Sequence, residues 1–368
     1  MTLILSNDEI ASLLTMEDCL ARLEETYHDL GHHLAGNRLR SDLSGPGARP
    51  NERYIFKTMD GLVPRYGVAA LRLNSDVIRW EAGPAGIRKD KQPLAPGGTW
   101  VGLIFLFSTE TGEPLAIMPD GVIQRLRVGA TNGIAARYMA PRDAGVYALL
   151  GAGWQAGAQA RAIAQVRPLR EIRIYAPTRA NRERLAAELT DELKVEVRPV
   201  DDPRQAVRGA DIVGMATNSV TPVVEADWLE PHAHVTCVKE LELGEGVLER
   251  SSLVVVHTRQ GRPANILIER GEEPIVAHDP GEMLAGELQA TRAARHQDQV
   301  DLSRQPDLGE LVTGQVALPP PGGMTCFVNT IGLGVQFAAI GALALDRARE
   351  RGLGREIPTD WLLETVHP

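Results

Sequence analysis

The chain has 368 residues, more than one compact hydrophobic core usually serves, and we therefore expect two domains. Its net charge of −9 argues against a nucleic-acid-binding protein, because such a protein needs a basic face to meet phosphates. Its three widely spaced cysteines do not imply a disulfide framework, and they favour a reducing, cytoplasmic compartment.

Neither a membrane span nor a metal centre is expected. Leu311–Leu345 contains no charged side chain, but three consecutive prolines break it, and its second half includes Asn329 and Gln336. These features favour a buried helix over a helix that faces lipid. The nine histidines show no metal-ligand spacing.

The first 130 residues predict a mixed α+β domain. A helix is expected first, over roughly Thr15–His33. The extended segments expected after it are Arg53–Met59, Gly67–Ile78, Trp100–Ser108 and Pro114–Pro119. The stretch Trp80–Gly98 is rich in glycine, proline and lysine, and we expect it to be an exposed loop.

Residues 144–260 alternate short apolar segments with helical ones, which predicts a parallel sheet covered by helices. The expected strands are Val146–Leu150, Glu171–Ala176, Lys194–Val200, Asp211–Ala216, His234–Val238 and Leu253–His257. The expected helices are Gln155–Val166, Ala180–Leu193 and Asp202–Arg208. The fold class is therefore α/β, with this parallel-sheet domain beside the mixed one.

A dinucleotide-binding fingerprint follows the first of these strands. The motif is Gly151-Ala152-Gly153-Trp154-Gln155-Ala156. Its first glycine suits a tight turn, its second allows the backbone to approach a pyrophosphate, and small Ala156 permits close packing of helix and strand. Because a strand precedes the motif and a helix follows it, the sequence predicts a Rossmann-type domain that binds NAD(P)(H). Thr217 and Asn218, at the end of the fourth strand, are further candidate cofactor contacts.

The residues after the second strand favour NADP(H) over NAD(H). An NAD site usually has an acid there to accept the ribose hydroxyls, but none occurs between Tyr175 and Glu183. Thr178, Arg179 and Arg182 could instead bind a 2′-phosphate. The alternative is that these arginines are only solvated charges at a helix start.

Several cations lie in or beside apolar segments of the first domain. The candidates are Arg38, Arg40, Lys57, Arg72, Arg125 and Arg127. If three or four of them met in one pocket, they would bind the carboxylate of a small substrate. The alternative is that most of them are surface charges.

Ordered short segments over nearly the whole length resemble the ornithine cyclodeaminase/mu-crystallin family. They are Arg40-Ser41-Asp42, Phe56–Gly61, Gly67–Arg72, Thr111–Ala116, Arg127-Val128-Gly129-Ala130, the fingerprint, and Ala210–Val213 with Ala216-Thr217. The resemblance implies a homodimer and a discontinuous substrate domain, here residues 1–134 with 325–368, around a Rossmann domain at 135–324. It also implies that Arg40 and Arg127 bind the substrate carboxylate.

The chain departs from the family at two positions. The family's active-site lysine falls on Arg72, which could hold a carboxylate but is a poor proton shuttle, so Lys57 would take over proton transfer. The acid that cyclodeaminases carry after the fifth strand has no aligned aspartate here, and Lys239, Glu240 or Glu242 would substitute.

These features support an NAD(P)(H)-dependent oxidoreductase that acts on the C–N bond of a small amino or imino acid. Arg40, Arg72 and Arg127 would orient the substrate, and Lys57, Lys239 or Glu242 would move a proton. Two alternatives stay open. One is an ornithine cyclodeaminase-like ammonia lyase with a redox-neutral bound cofactor, and the other is a mu-crystallin-like protein that binds cofactor or ligand with little catalysis.

Overall fold

The structure is a computed structural model that describes residues 1–49, 52–83, 86–95, 98–219, 221–259, 264–268, 275–277, 300–329 and 331–366. Its helices are α1 (Asn7–Leu13), α2 (Met16–Gly31), α3 (Gly121–Met139), α4 (Trp154–Val166), α5 (Arg179–Leu193), α6 (Pro203–Val207), α7 (Val247–Arg250), α8 (Leu308–Val312) and α9 (Gly334–Arg351). None of these described helices has both the length and the apolar character that crossing a bilayer requires.

The strands form two sheets. The first eight are β1 (Thr2–Ile4), β2 (Gly36–Asn37), β3 (Ser41–Pro46), β4 (Glu52–Val63), β5 (Val68–Gly83), β6 (Gly86–Gln92), β7 (Val101–Ser108) and β8 (Pro114–Pro119). The next six are β9 (Val146–Leu150), β10 (Glu171–Tyr175), β11 (Glu196–Pro199), β12 (Ile212–Met215), β13 (His234–Cys237) and β14 (Leu253–Val256). The remaining described strands are β15 (Ala264–Leu267), β16 (Ile275–Ala277), β17 (Thr325–Val328) and β18 (Arg355–Ile357).

The N-terminal strands build a mixed sheet. Its order is β16-β15-β3-β4-β5-β7-β8-β1-β18, with β2 paired to β4 and β6 paired to β5. Alternate residues of β4 and β5 are buried, so the sheet has one face towards the core and one face outwards. This confirms the mixed α+β architecture expected for the first 130 residues.

The prediction of an exposed loop over Trp80–Gly98 is wrong for much of that stretch. Residues up to Gly83 continue β5, and β6 pairs antiparallel with them, from Val77 opposite Gln92 to Gly83 opposite Gly86. Gly83 and Gly86 form the last pair of this hairpin, and among the described strands β6 pairs only with β5, so its lysines lie on an edge strand. A charged edge strand is a common protection against edge-to-edge association, which explains a composition that resembles a loop.

The central part of the chain forms the predicted parallel sheet. Its order is β11-β10-β9-β12-β13-β17-β14, and every neighbouring pair is parallel. The central strands are buried on both faces, which accounts for their continuous apolar character. The order reverses between β9 and β12, where such sheets bind their ligands at the carboxyl ends of the strands.

The division into two domains stays a proposal, and one of its boundaries needs to move. Thr325–Val328, placed with the substrate domain, is a strand of the parallel sheet between β13 and β14. The family resemblance had implied that the return to the first domain begins at Thr325, but this strand is fully buried in the parallel sheet. The boundary therefore falls after Val328.

Helices α3 and α9 join the two sheets. Helix α9 follows β17 and packs on β4 so closely that a Cβ on Gly61 would lie 2.1 Å from the backbone nitrogen of Val335. Helix α3 packs against α4, where a Cβ on Gly129 would lie 2.6 Å from the carbonyl oxygen of Ala158. Glycine at these two crossings therefore sets how closely α9 approaches the mixed sheet and how closely α3 approaches α4.

Candidate active site

The fingerprint turn connects β9 to α4 at the point where the strand order reverses. Gly151 has a φ of +122°, and a Cβ there would lie 2.3 Å from the carbonyl oxygen of Ala216, so only glycine fits. Its amide donates to the carbonyl of Tyr175 over 2.8 Å. The turn is therefore held against the ends of β10 and β12.

The N-terminus of α4 offers free space and free backbone amides. Gly153 is the N-cap residue and has no side-chain cap, and a Cβ on it would meet no described atom within 4 Å. Ala156 is fully buried against the sheet, whereas Trp154 is exposed and Gln155 half-buried beside the turn. Because the first amides of a helix attract anions, this end of α4 suits the pyrophosphate of a dinucleotide.

The three residues expected to contact a 2′-phosphate have different environments. Thr178 is the N-cap of α5 without a side-chain cap bond, and Arg179 is 78% exposed and paired with Glu183. Arg182 is buried, donates to the carbonyl of Ala176 and pairs with Asp201. Arg182 therefore supports the end of β10, and the geometry leaves Thr178 and Arg179 as the candidates for phosphate contact.

Lys239 and Glu242 join the loops that follow β12 and β13. Both carboxylate oxygens of Glu242 accept hydrogen bonds, from the amide and hydroxyl of Thr217 at 2.7 Å and from the amides of Val238 and Lys239 at 3.0 and 3.1 Å. The Lys239 ammonium donates to the carbonyl of Thr217 over 2.7 Å. Burial raises the pKa of Glu242 and lowers that of Lys239. This arrangement fixes the Thr217–Asn218 loop, and the proton-transfer role expected of the two residues stays a prediction.

The inner face of the mixed sheet carries the expected cations, and most of them are paired. Arg72 donates to Asp120 over 2.7 Å, and Asn74 donates to the same oxygen over 3.2 Å. A Cβ on Gly102 would lie 2.1 Å from Asp120, so this glycine makes room for the cluster. Burial lowers the pKa of Arg72. The residue that replaces the family lysine is thus a buried, paired guanidinium.

Lys57 and Arg40 are paired in the same region. The Lys57 ammonium lies 2.8 Å from Asp76, and burial lowers its pKa. The Arg40 guanidinium binds both oxygens of Asp42, at 2.8 and 2.6 Å. In the strand register, Asp42 lies opposite Lys57. The cations of the inner face therefore alternate with carboxylates.

Arg127 differs from these cations because it is buried without a carboxylate. Its side chain is buried in α3, and among the described residues no Asp or Glu lies within 4 Å of its guanidinium. Its hydrogen-bond partners are two neutral side-chain amides, Gln124 at 2.9 Å and Gln336 at 3.2 Å. Burial, with the charge of Arg72, lowers the pKa of Arg127.

Phe337 lies between the two buried guanidinium groups. The central carbon of Arg72 is 5.1 Å from its ring centroid and that of Arg127 is 5.3 Å away. A Cβ on Gly332 would lie 2.7 Å from the Arg127 guanidinium, so the loop after β17 also makes room for it. Arg72 and Arg127 therefore both lie beside the Phe337 ring.

Four residues that contact this region were not identified from the sequence. Tyr27, His257 and Gln336 form a buried hydrogen-bonded group next to Arg127, and Asp120 binds Arg72. They come from segments far apart in the chain. Two features of the sequence could have indicated two of them. Gln336 is a polar residue inside an apolar helix, and Asp120 is an isolated acid directly after a strand.

Arg127 lies near the edge of the parallel sheet that carries the cofactor motif. Gly151, Thr217 and His257 come within two residues of the carboxyl ends of β9, β12 and β14, and Gly332 lies in the loop that leaves the carboxyl end of β17. Because Gly332 contacts Arg127, the unpaired guanidinium lies at the edge where the fingerprint turn also opens.

Sequence and structure comparisons agree on one family. The sequence profile of the ornithine cyclodeaminase/mu-crystallin family matches residues 90–349. The chain is 32% identical over 260 residues to the uncharacterized cyclodeaminase y4tK of Sinorhizobium fredii, which covers 69% of this chain and 72% of that protein. It is 26% identical over 261 residues to the Delta(1)-pyrroline-2-carboxylate reductase of Bacillus cereus (strain ATCC 14579), covering 70% and 74% of the two chains.

A solved structure shows the same fold over almost the whole chain. The Delta(1)-pyrroline-2-carboxylate reductase of Thermococcus litoralis, in complex with NADH and L-proline, aligns with a TM-score of 0.74 at 22% identity. The alignment covers 97% of this chain and 100% of that one. The predicted fold class and family are therefore confirmed.

The open space at Gly153 generates a prediction for cofactor binding. A Cβ at position 153 would meet no described atom within 4 Å, and in Gly153→Trp the indole would occupy the space proposed for the pyrophosphate, so we expect loss of cofactor binding with the fold retained. Isothermal titration with NADPH, with circular dichroism as a check on folding, measures both. Ala187→Trp, on the exposed face of α5, is the matched control. Unchanged cofactor affinity in a folded Gly153→Trp would contradict the site.

Proposed function

Because the chain belongs to the ornithine cyclodeaminase/mu-crystallin family, we propose that it is an oxidoreductase that uses a nicotinamide cofactor on the C–N bond of a small amino or imino acid. The observation that carries this proposal is the buried, unpaired guanidinium of Arg127 at the cofactor edge of the parallel sheet. An ion buried without a counterion costs several kcal/mol in order of magnitude, and such sites are typically functional. A substrate carboxylate would supply the missing counterion.

The pairing of the other charges indicates the substrate class. Asp42, Asp76 and Asp120 each hold at least one cation of the inner face. Within the described residues, this face therefore offers one unpaired cation and no unpaired carboxylate. That balance favours a substrate with one carboxylate and an uncharged side chain, because a diamino acid would require a carboxylate for its second amine.

Each residue of the site has a distinct task in this proposal. Arg127 binds the substrate carboxylate, while Arg72 and Arg40, each paired with an aspartate, help to orient the substrate. The bound nicotinamide supplies or accepts the hydride. Lys57 exchanges a proton with the substrate nitrogen, which its lowered pKa makes easier than for an exposed lysine, and Asp76 holds its ammonium in place.

Net cofactor turnover tests the proposal against its two alternatives. With Delta(1)-pyrroline-2-carboxylate as substrate, we expect one molecule of reduced cofactor to be oxidised for each molecule of substrate reduced. The absorbance of the reduced cofactor measures this oxidation. Ammonia release from ornithine without net cofactor change would instead support a cyclodeaminase. Tight binding of cofactor and imino acid without turnover would support a binding protein of mu-crystallin type.

Arg127 variants test the carboxylate contact in the same assay. Arg127→Ala is expected to raise KM for the imino acid while cofactor affinity stays near normal. Breaking a buried charge-assisted contact costs about 2–5 kcal/mol, or roughly 30- to several-thousand-fold in affinity. Arg127→Lys should stay impaired, because one ammonium cannot reproduce a bidentate fork.

Arg125→Ala is the matched control for this experiment. Arg125 lies on the same helix, two residues away, and is partly exposed. We expect its replacement to change KM little, since partly exposed charges contribute little. An Arg127→Ala variant with the kinetics of Arg125→Ala would rule out Arg127 as the carboxylate site.

We infer that NADPH is the preferred cofactor. No acid lies between Tyr175 at the end of β10 and Glu183, and Arg179 is exposed close to that strand end. An exposed arginine–glutamate pair is weak, so Arg179 can leave Glu183 for a 2′-phosphate.

In a titration of each cofactor, NADPH should bind at least several-fold tighter than NADH, and Arg179→Ala should narrow this difference in affinity. Arg198→Ala, on exposed β11, should leave it unchanged, and tighter binding of NADH to the unaltered protein would contradict the assignment.

The outer face of the mixed sheet supports a homodimer. Leu71, Leu73, Leu103, Phe105 and Ile117 are half-buried, and the strand registers place them side by side. A contiguous apolar patch of this kind typically marks a protein interface. Sedimentation velocity should therefore show a dimer for the unaltered protein. Phe105→Glu should dissociate this dimer, whereas Leu34→Glu should leave it intact, because Leu34 is exposed in the segment after α2. A monomer before any substitution would contradict the inference.

A further inference from the structure

Gln336 supplies one of the two side-chain acceptors of the Arg127 guanidinium. It lies in the first turn of α9 and is fully buried. Its side-chain oxygen accepts from Arg127 Nη1 over 3.2 Å and from the backbone amide of Leu333 over 2.9 Å. Both partners are donors, so the contact exists only while the amide presents its oxygen to this side.

The nitrogen of the Gln336 amide faces two hydroxyl groups. It donates to Tyr27 Oη and to Thr131 Oγ1, both at 2.8 Å. The Thr131 hydroxyl donates its own hydrogen to the backbone carbonyl of Arg127 over 2.8 Å. The Thr131 oxygen is therefore left to accept, and this matches the NH₂ group of Gln336.

His257 offers an acceptor to the Tyr27 hydroxyl. His257 Nδ1 bonds to the carbonyl oxygen of Ile331, which can only accept, so Nδ1 carries the ring hydrogen. Nε2 is then an acceptor 2.8 Å from the Tyr27 hydroxyl, whose oxygen also lies 2.7 Å from Thr131 Oγ1, so the Tyr27 hydrogen points to one of these two acceptors. The ring is buried, and burial with the nearby Arg127 lowers its pKa to about 3, which keeps it neutral.

The hydrogens around Gln336 require one orientation of its amide. With either acceptor the Tyr27 hydrogen is committed, so the Tyr27 oxygen accepts from Gln336, as the Thr131 oxygen does. If the amide turned over, its NH₂ would oppose the guanidinium and the Leu333 amide, and its oxygen would meet two hydroxyls whose hydrogens are already committed. Tyr27, Thr131 and Leu333 therefore together fix the orientation of the amide that contacts Arg127.

We propose that Gln336 is the positioning residue for the substrate-binding guanidinium of Arg127, and that Tyr27 and His257 form a relay that locks its amide in the working orientation. This inference rests on the proposed function for its kinetic consequence. Every member of the relay is neutral, so Arg127 is held in place without losing its charge to a counterion. A carboxylate at position 336 would hold the guanidinium equally well but would compete with the substrate.

Tyr27→Phe tests the relay with minimal change in volume. Removing the hydroxyl takes away one of the two acceptors of the Gln336 NH₂ group, so the amide is held less firmly against Arg127 and KM for the imino acid should rise about ten-fold. Because Arg127 acts in binding, kcat and cofactor affinity should change far less. Tyr147→Phe is the matched control, since its hydroxyl is equally buried and bonds to Gln159 at 3.1 Å in the parallel-sheet domain. Equal KM values in the two variants would overturn the relay.

A double-mutant cycle separates positioning from general stability. If Tyr27 acts through Gln336, the effects of Tyr27→Phe and Gln336→Ala on KM should not add. Gln336→Glu should raise KM by at least the same factor, because the new carboxylate would occupy Arg127. Additive effects, or a Gln336→Glu variant with normal KM, would overturn the proposal.

Crystal structures of Tyr27→Phe and Tyr147→Phe without substrate give a readout independent of turnover. The contact between Arg127 and Gln336 should break in the first and persist in the second. Persistence in both would overturn the relay even if the enzyme reduces imino acids. If the contact between Arg127 and Gln336 breaks in Tyr27→Phe but the unaltered protein does not reduce imino acids, the result would support the relay and contradict the proposed function.

Discussion

The unpaired guanidinium of Arg127 is the constraint on which the rest of the site depends. A cation in a buried position is tolerated only where the surroundings provide acceptors and exclude competing ions. The chain meets this requirement with two neutral amides, Gln124 and Gln336, and with the ring face of Phe337. Gly332 leaves the space that the guanidinium fills. The neighbouring cations are paired, so the site presents one free positive charge rather than a general basic surface.

The fold places that charge beside a nucleotide site by simple topology. All strands of the parallel sheet end at the same edge, and the loops that leave them carry the fingerprint turn, the Thr217–Asn218 loop, His257 and Gly332. Helix α3 carries Arg127 and packs on α4, the helix that begins at the fingerprint. A change in the packing of α3 against α4 would therefore move the substrate contact and the cofactor contact relative to each other.

The sequence predicted what local patterns encode. The fingerprint depends on a strand, a glycine turn and a helix that follow one another directly from Val146 to Val166. Arg127 and Arg72 were proposed because cations in apolar segments are unusual. The relay could not be found in this way, because Tyr27 lies 230 residues from His257 and 309 residues from Gln336, and each residue type is ordinary by itself. Lys239 and Glu242 were expected to move protons because they are charged near a strand end, but their contacts with Thr217 depend on a loop pairing that sequence spacing does not reveal.

A crystal structure of the protein with oxidised cofactor and L-proline would show where the substrate carboxylate binds. Both carboxylate oxygens of the ligand should lie within hydrogen-bonding distance of the Arg127 guanidinium, with the ring carbon next to the nicotinamide. The pairs of Arg72 with Asp120 and of Lys57 with Asp76 should remain intact. A ligand whose carboxylate binds elsewhere, while Arg127 keeps only its contacts with Gln124 and Gln336, would rule out Arg127 as the carboxylate site.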